Sequence, residues 1–219
     1  MVVVTMTFMK RNLLLYLFLL TCLHTYAQVI PDQSLLMAHA PPKFQAKFHT
    51  TKGDFTMEVN RSWSPLAADR LYQLLITGYY NGNSLFRVQK GFVVQFGISD
   101  SREVNFFWDK RPVYDEPVAG SNLKGTVSCA RDGMTSRTTQ LFINLKDNFK
   151  LDTVNFNGLH GFPPVAKVIS GFEVIESLYG GYGFDPANYQ DSVMVHGNSY
   201  LKKKFPELDF IIEATVTAE

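Results

Sequence analysis

The chain has 219 residues, of which 46% are hydrophobic, 14% aromatic and 19% charged. That apolar content and a formal charge of +1 exclude disorder over most of the chain, which goes with low hydrophobicity and high net charge. With 21 basic and 20 acidic residues, nothing supports a partner held by phosphate neutralisation, and no nucleic acid is expected. Two cysteines exclude a disulfide-rich scaffold and a multi-thiolate metal site.

The first element is a leader. Lys10 and Arg11 precede the apolar run Leu13 to Leu23, and Thr25 and Ala27 fit the last positions before a signal-peptidase cut. The run is shorter than the ~20 residues that span a bilayer. Residues 1–27 are therefore expected to be removed on export to a periplasmic or extracellular space, leaving no stable membrane insertion. Met9 is an alternative start. A retained anchor, or lipidation at Cys22 after a loose lipobox (Leu19-Leu20-Thr21), are the alternatives. Loss of the leader takes Lys10, Arg11 and Cys22 with it. The formal charge becomes −1, and Cys129 remains as the one cysteine, ruling out an intramolecular disulfide. Between Ser128 and Ala130, Cys129 reads as a small buried hydrophobe.

Residues 28–42 form a lead-in that ends at Pro41-Pro42 and reads as an extended linker. Residues 43–219 form one domain. Phe44, Ala46 and Phe48 alternate, Lys52-Gly53-Asp54 signals a turn, and Phe55, Met57 and Val59 alternate again, which predicts a hairpin. Ser64 as N-cap and Pro65 at the first helical position open a helix buried through Ala67, Leu71, Leu74 and Leu75. A strand pair is expected over 84–97, and further strands over 125–130, 140–145 and 165–169. A short helix follows over 171–178. A closing strand over 209–217 is expected to turn Phe210, Ile212 and Ala214 inward. Many short strands and two helices far apart predict a mainly β fold, a closed barrel with helices over its ends.

Common catalytic motifs are absent, and the histidines after the leader are scattered without ligand spacing. The stretch Ser84 to Gly97 stands out, with Arg87 in an apolar run and Gln95 eight positions on, Phe92 between. On one barrel face the three would converge. By spacing alone, an edge-strand arginine with its head in water is the simpler account.

The segment FRVQKGFVVQFG (86–97) resembles the signature of the cyclophilin-type peptidyl-prolyl cis-trans isomerases. Two later blocks agree in order: GTVSCARDGMTSRTTQLFINLKDNFKLD (125–152) and PPVAKVISGFEVIESL (163–178). The resemblance implies a closed eight-stranded antiparallel β-barrel capped by two α-helices, with an outer groove for Xaa-Pro peptides. It implies that Arg87 is the catalytic arginine and Gln95 the polar residue beside it. Phe92 matches the floor of the proline pocket and Val93 an apolar position in it. Ala130 and Arg131 match the segment whose backbone follows the substrate. Gln140 and Phe142 match the far side of the groove, and Leu151 an apolar wall. No cofactor or metal is implied, the partners are proline-containing polypeptides, and a monomer is expected.

Three departures resemble the secreted bacterial members: Lys150 where familiar eukaryotic members carry tryptophan, and Phe162 and Phe86 where they carry histidines. The first counts against tight cyclosporin binding. Segment 179–208, with GGYGFDP and YLKKKFPELD, also resembles that bacterial group. The function implied is isomerisation of Xaa-Pro bonds in exported proteins, assisting folding. The rival is a cyclophilin-like module that grips proline segments as a chaperone with little turnover. A hydrolase would need a nucleophile–base pair that the sequence lacks.

Overall fold

The computed structural model describes residues 30–218. The expected leader 1–27, its cleavage site and Cys22 lie outside the described residues.

After a helical turn α1 (Gln33–Leu36), strands β1 (Lys43–Thr50) and β2 (Gly53–Asn60) pair along their whole length, Lys43 opposite Asn60 and Thr50 opposite Gly53. The turn uses Gly53 at φ +126°, a conformation open to glycine. Phe44, Ala46, Phe48, Phe55, Met57 and Val59 are all buried, as their alternation predicts, and the Phe48 and Phe55 rings stack at 4.9 Å.

Helix α2 (Pro65–Ile76) begins where expected, but Ser64 does not cap it with its side chain. Glu116 does so instead, accepting the Leu66 N–H at 2.7 Å and the Ala67 N–H at 3.2 Å, while the Ser64 hydroxyl donates to the same carboxylate. A full negative charge meets the positive end of the helix dipole better than a hydroxyl does.

Strands β3 (Arg87–Gln89) and β4 (Val93–Phe96) form a short hairpin, followed by helix α3 (Arg102–Asp109). Strands β5 (Thr126–Cys129) and β6 (Leu141–Asn144) pair with each other, with helix α4 (Lys150–Thr153) and a two-residue ribbon, β7 (Asn155–Phe156) and β8 (Leu159–His160), after them. Strand β9 (Pro164–Ser170), helix α5 (Phe172–Ser177), a 3-10 turn (Asp185–Tyr189), helix α6 (Gln190–Lys204) and strand β10 (Ile211–Ala218) complete the chain. Eight strands make one antiparallel sheet in the order β10-β1-β2-β9-β5-β6-β4-β3.

Three expectations need correction. The sheet curls but does not close. Its edges are β10 and β3, which do not pair with each other. The residues before β3 meet the start of β10 and the residues just before it: the Gly82 N–H donates to the Ile211 carbonyl and the Ile211 N–H to the Asn83 carbonyl, each at 2.8 Å, Ser84 bridges Phe210, and the Leu85 N–H donates to the Asp209 carbonyl at 2.9 Å. Strand β3 is three residues long, and past Ser84 its outer edge is taken at Val88 by Gly183, not by β10. The two expected helices are also joined by α3 and α6. In α6 the buried side chains are sparse, Gly197 interrupts the helix, and Lys202 to Lys204 end it, so no apolar stripe announces it. Within β10, Ile211 and Ala214 are buried whereas Ile212 is exposed. A bulge leaves Ile212 out of register between Glu213, opposite His49, and Ile211, opposite Thr50, which turns it outward.

The main core fills the space between the sheet and α2. A second apolar cluster unites Phe86 and Ile98, which flank the β3–β4 hairpin, with Ala187, Val193, Leu201, Phe205 and Leu208. Phe86, the residue before Arg87, thus packs beneath the late segment. The lead-in is anchored as well, by Gln73 donating to the Leu36 and Ala38 carbonyls and by Asp69 accepting the Ala40 N–H.

Candidate active site

Strand alternation decides which side chains share the site. In β4, Val94 and Phe96 enter the main core, so Val93 and Gln95 face the other way. In β6, Leu141 and Ile143 enter the core and Phe142 does not. Register then aligns three of the expected residues: Arg87 is opposite Gln95, and Gln95 is opposite Phe142.

The Arg87 guanidinium is held in its own plane by two glutamines. Nη1 donates to Gln95 Oε1 at 3.0 Å and Nη2 to Gln89 Oε1 at 2.9 Å. Gln95, itself buried, donates from Nε2 to Gln140 Oε1 at 2.8 Å. A chain of side-chain hydrogen bonds therefore runs from Arg87 through Gln95 to Gln140. Two rings lie near the guanidinium carbon, Phe92 at 5.4 Å and Phe184 at 4.7 Å. Arg87 Nε is buried with no hydrogen-bond partner among the described residues. Burial pushes the Arg87 pKa down from its ordinary value, yet an arginine stays protonated at neutral pH.

The opposite wall is aromatic and propped from behind. Phe142 and Phe162 meet edge to face at 5.7 Å. Arg131 stacks on Phe162 at 4.8 Å, donates to the Gly161 carbonyl and faces Asp115 at 3.5 Å. Its side chain is thus turned inward as a support. The Leu151 carbonyl accepts the Phe162 N–H at 2.7 Å, which brings Leu151 beside that wall. Ala130 is tied to Gln140 by its N–H at 2.9 Å. Phe92 is fixed through its carbonyl, which accepts the Leu145 N–H at 2.9 Å and Asn148 Nδ2 at 3.0 Å.

Arg87, Gln95, Phe92, Gln140 and Phe142 are therefore brought together, with Val93 on the same face. Ala130, Arg131 and Leu151 frame the Phe142–Phe162 side. Two participants escaped the sequence reading. Gln89 was legible as the residue two after Arg87 on the same strand face. Phe184 was not, because it is far along the chain in a glycine-rich loop. Among the described residues no three His, Cys, Asp or Glu side chains cluster as a metal would require.

The arrangement places one fixed cation on a face shared with the Phe92 ring and with Phe142. Comparison with known proteins identifies the family. Residues 45–196 match the family model described as cyclophilin type peptidyl-prolyl cis-trans isomerase/CLD. Peptidyl-prolyl cis-trans isomerase B of Escherichia coli (strain K12) is 28% identical over 178 residues, 78% of this chain and 98% of that protein. Peptidyl-prolyl cis-trans isomerase A of Dickeya dadantii is 32% identical over 131 residues, 59% of this chain and 67% of that protein. In fold, a Cryptosporidium parvum cyclophilin-type isomerase superposes with TM-score 0.57 at 19% identity, covering 81% of this chain and 99% of that one. With the matched region spanning most of the described residues, this chain belongs to the cyclophilin-type peptidyl-prolyl cis-trans isomerases.

Proposed function

We propose that the chain accelerates rotation about Xaa-Pro bonds in exported proteins, with Arg87 as the catalytic residue and the Phe92–Phe142 side of the groove as the proline slot. The observation that carries this reading is the row Arg87, Gln95, Phe142 across three adjacent strands. Ligand chemistry supports it too, since a Cryptosporidium parvum relative was crystallised in the presence of the dipeptide Ala-Pro.

Prolyl rotation breaks no covalent bond. Its barrier, about 18–20 kcal/mol, is the loss of amide resonance on twisting the C–N bond. As the bond twists, the proline nitrogen pyramidalises and gains a lone pair. A guanidinium donor directed at that nitrogen binds the twisted state better than the planar one, and only such a difference accelerates a reaction. Gln95 and Gln89 hold the guanidinium so that little reorganisation is needed at the moment of rotation. Phe92, Phe142 and Leu151 clamp the ring while the preceding carbonyl swings.

A protease-coupled assay on an Ala-Pro peptide tests the reading. Faster cis–trans exchange with wild-type protein, lost in Arg87→Ala, is expected. An unchanged exchange rate with the wild type would refute it. The export part rests on the leader, residues 1–27, and is checked by the mass of the mature N-terminus. Cleavage after Ala27 is expected, and a lipidated Cys22 or an intact N-terminus would replace it.

A further inference from the structure

The late segment does more than cover the open edge. Gly183 pairs with Val88, one residue from Arg87, and its φ of +55° with nothing within 4 Å of an added Cβ shows that conformation rather than space requires glycine there. The Gly183 N–H closes a turn on the Gly180 carbonyl at 3.1 Å, while Pro186 and Ala187 on the other side are buried. The backbone around Phe184 is thus pinned on both sides. Phe184 itself is 48% exposed. Its one cationic neighbour among the described contacts is Arg87, at 4.7 Å.

Resting on the isomerase reading, we propose that Phe184 is a positioning residue for catalysis, holding the Arg87 guanidinium in place through its ring. The glutamines restrain the guanidinium within its plane, at Nη1 and Nη2. Among the described residues nothing bonds Nε, which is buried. Motion out of the plane is opposed by ring contacts, from Phe92 and from Phe184, and the ring face adds attraction to the cation. Phe184 also keeps water off the guanidinium, so that the charge acts on the twisting bond at lower local dielectric.

The test uses the full chain with Phe184→Ala, Phe184→Leu and Phe184→Tyr. Because the ring is half exposed, all three are expected to melt close to wild type. Phe184→Ala and Phe184→Leu should lower kcat about fivefold with KM little changed, and Phe184→Tyr should restore it. In an Arg87→Lys background, which lacks the planar fork, Phe184→Ala should have no further effect. An unchanged kcat, a change confined to KM, or an equal loss in the Arg87→Lys background would overturn the proposal. The NMR signal of Arg87 Nε–H gives a readout independent of turnover. It should be ring-shifted and slow to exchange in wild type, and in Phe184→Ala, with only Phe92 left beside it, move toward the free position and exchange faster; an unchanged signal would also overturn the proposal. Wild-type protein without isomerase activity would instead defeat the isomerase reading, leaving the Nε–H signal to decide the contact.

Discussion

Gly183 pairs antiparallel with Val88, on the edge where a closed barrel would seat its last strand. The bridge occupies an otherwise unpaired strand edge and ties segment 179–208 to the strand that carries Arg87. The same segment reaches Phe86 through the second apolar cluster, so it holds both chain neighbours of Arg87, Phe86 just before the strand and Val88 within it.

Arg87→Ala is expected to lower kcat/KM by roughly 10²–10³-fold, the range for losing one preorganised donor in a site of this kind. Gln95→Ala should cost less, about tenfold, because Gln89 still holds Nη2. Circular dichroism and Tm should show both variants folded. Activity within twofold of wild type in Arg87→Ala would remove the arginine from the mechanism.

Arg131→Met is expected to destabilise the fold by about 3 kcal/mol. The side chain is 1% exposed and pairs with Asp115 at 3.5 Å, so its loss leaves a carboxylate and the Gly161 carbonyl short of a partner. It also removes the support behind Phe162, so KM for peptide should rise. Denaturant midpoints and peptide titration check both effects, and adding Asp115→Ala should cost less than the two single changes together.

Asp69 makes acid stability predictable. Burial works against its ionisation, but hydrogen bonds from Arg61, His39 and the Ala40 N–H outweigh it and bring the pKa to about 2, from an ordinary 3.8. A carboxylate whose pKa is depressed by folding adds stability above its unfolded pKa and loses it as pH falls toward the folded one. The stability gap between wild type and Asp69→Asn should therefore be full above about pH 5 and shrink as pH falls to about 2. A gap that stays constant across that window would show that Asp69 is not ionised in the fold.

Cys129 is a buried free thiol, and burial pushes its pKa up. The native protein should resist iodoacetamide at neutral pH and label stoichiometrically once denatured. Rapid native labelling would show that the β5 end opens on its own.

Much of the architecture follows from local pattern. The hairpin of β1 and β2 was legible because alternate apolar residues can bury only one face, and Phe44 to Val59 obey that rule without exception. Arg87 and Gln95 were legible as a pair only through the family resemblance, since spacing alone favoured an edge arginine with its head in water; in the structure the turn at Gly91 returns the chain so that the two stand opposite each other. The helix start at Ser64-Pro65 was legible as well, but its capping group was not. Glu116 comes from a distant loop, and nothing near Ser64 in sequence announces it. Ile212 failed for a related reason, since a bulge shifts which residues face inward and leaves no mark in composition.

By itself the sequence determined which faces of each strand are apolar, where the chain turns, and that one arginine sits among apolar neighbours with a glutamine eight residues on. These are properties of short stretches, set by side-chain alternation and turn chemistry. Only the tertiary structure decided that the sheet stays open at β3, that Gly183 covers that edge, and that Phe162 stands against Phe142 and Phe184 against Arg87. Those outcomes depend on competition between distant segments for the same hydrogen-bonding edge and the same apolar surface, and no local pattern encodes which segment wins.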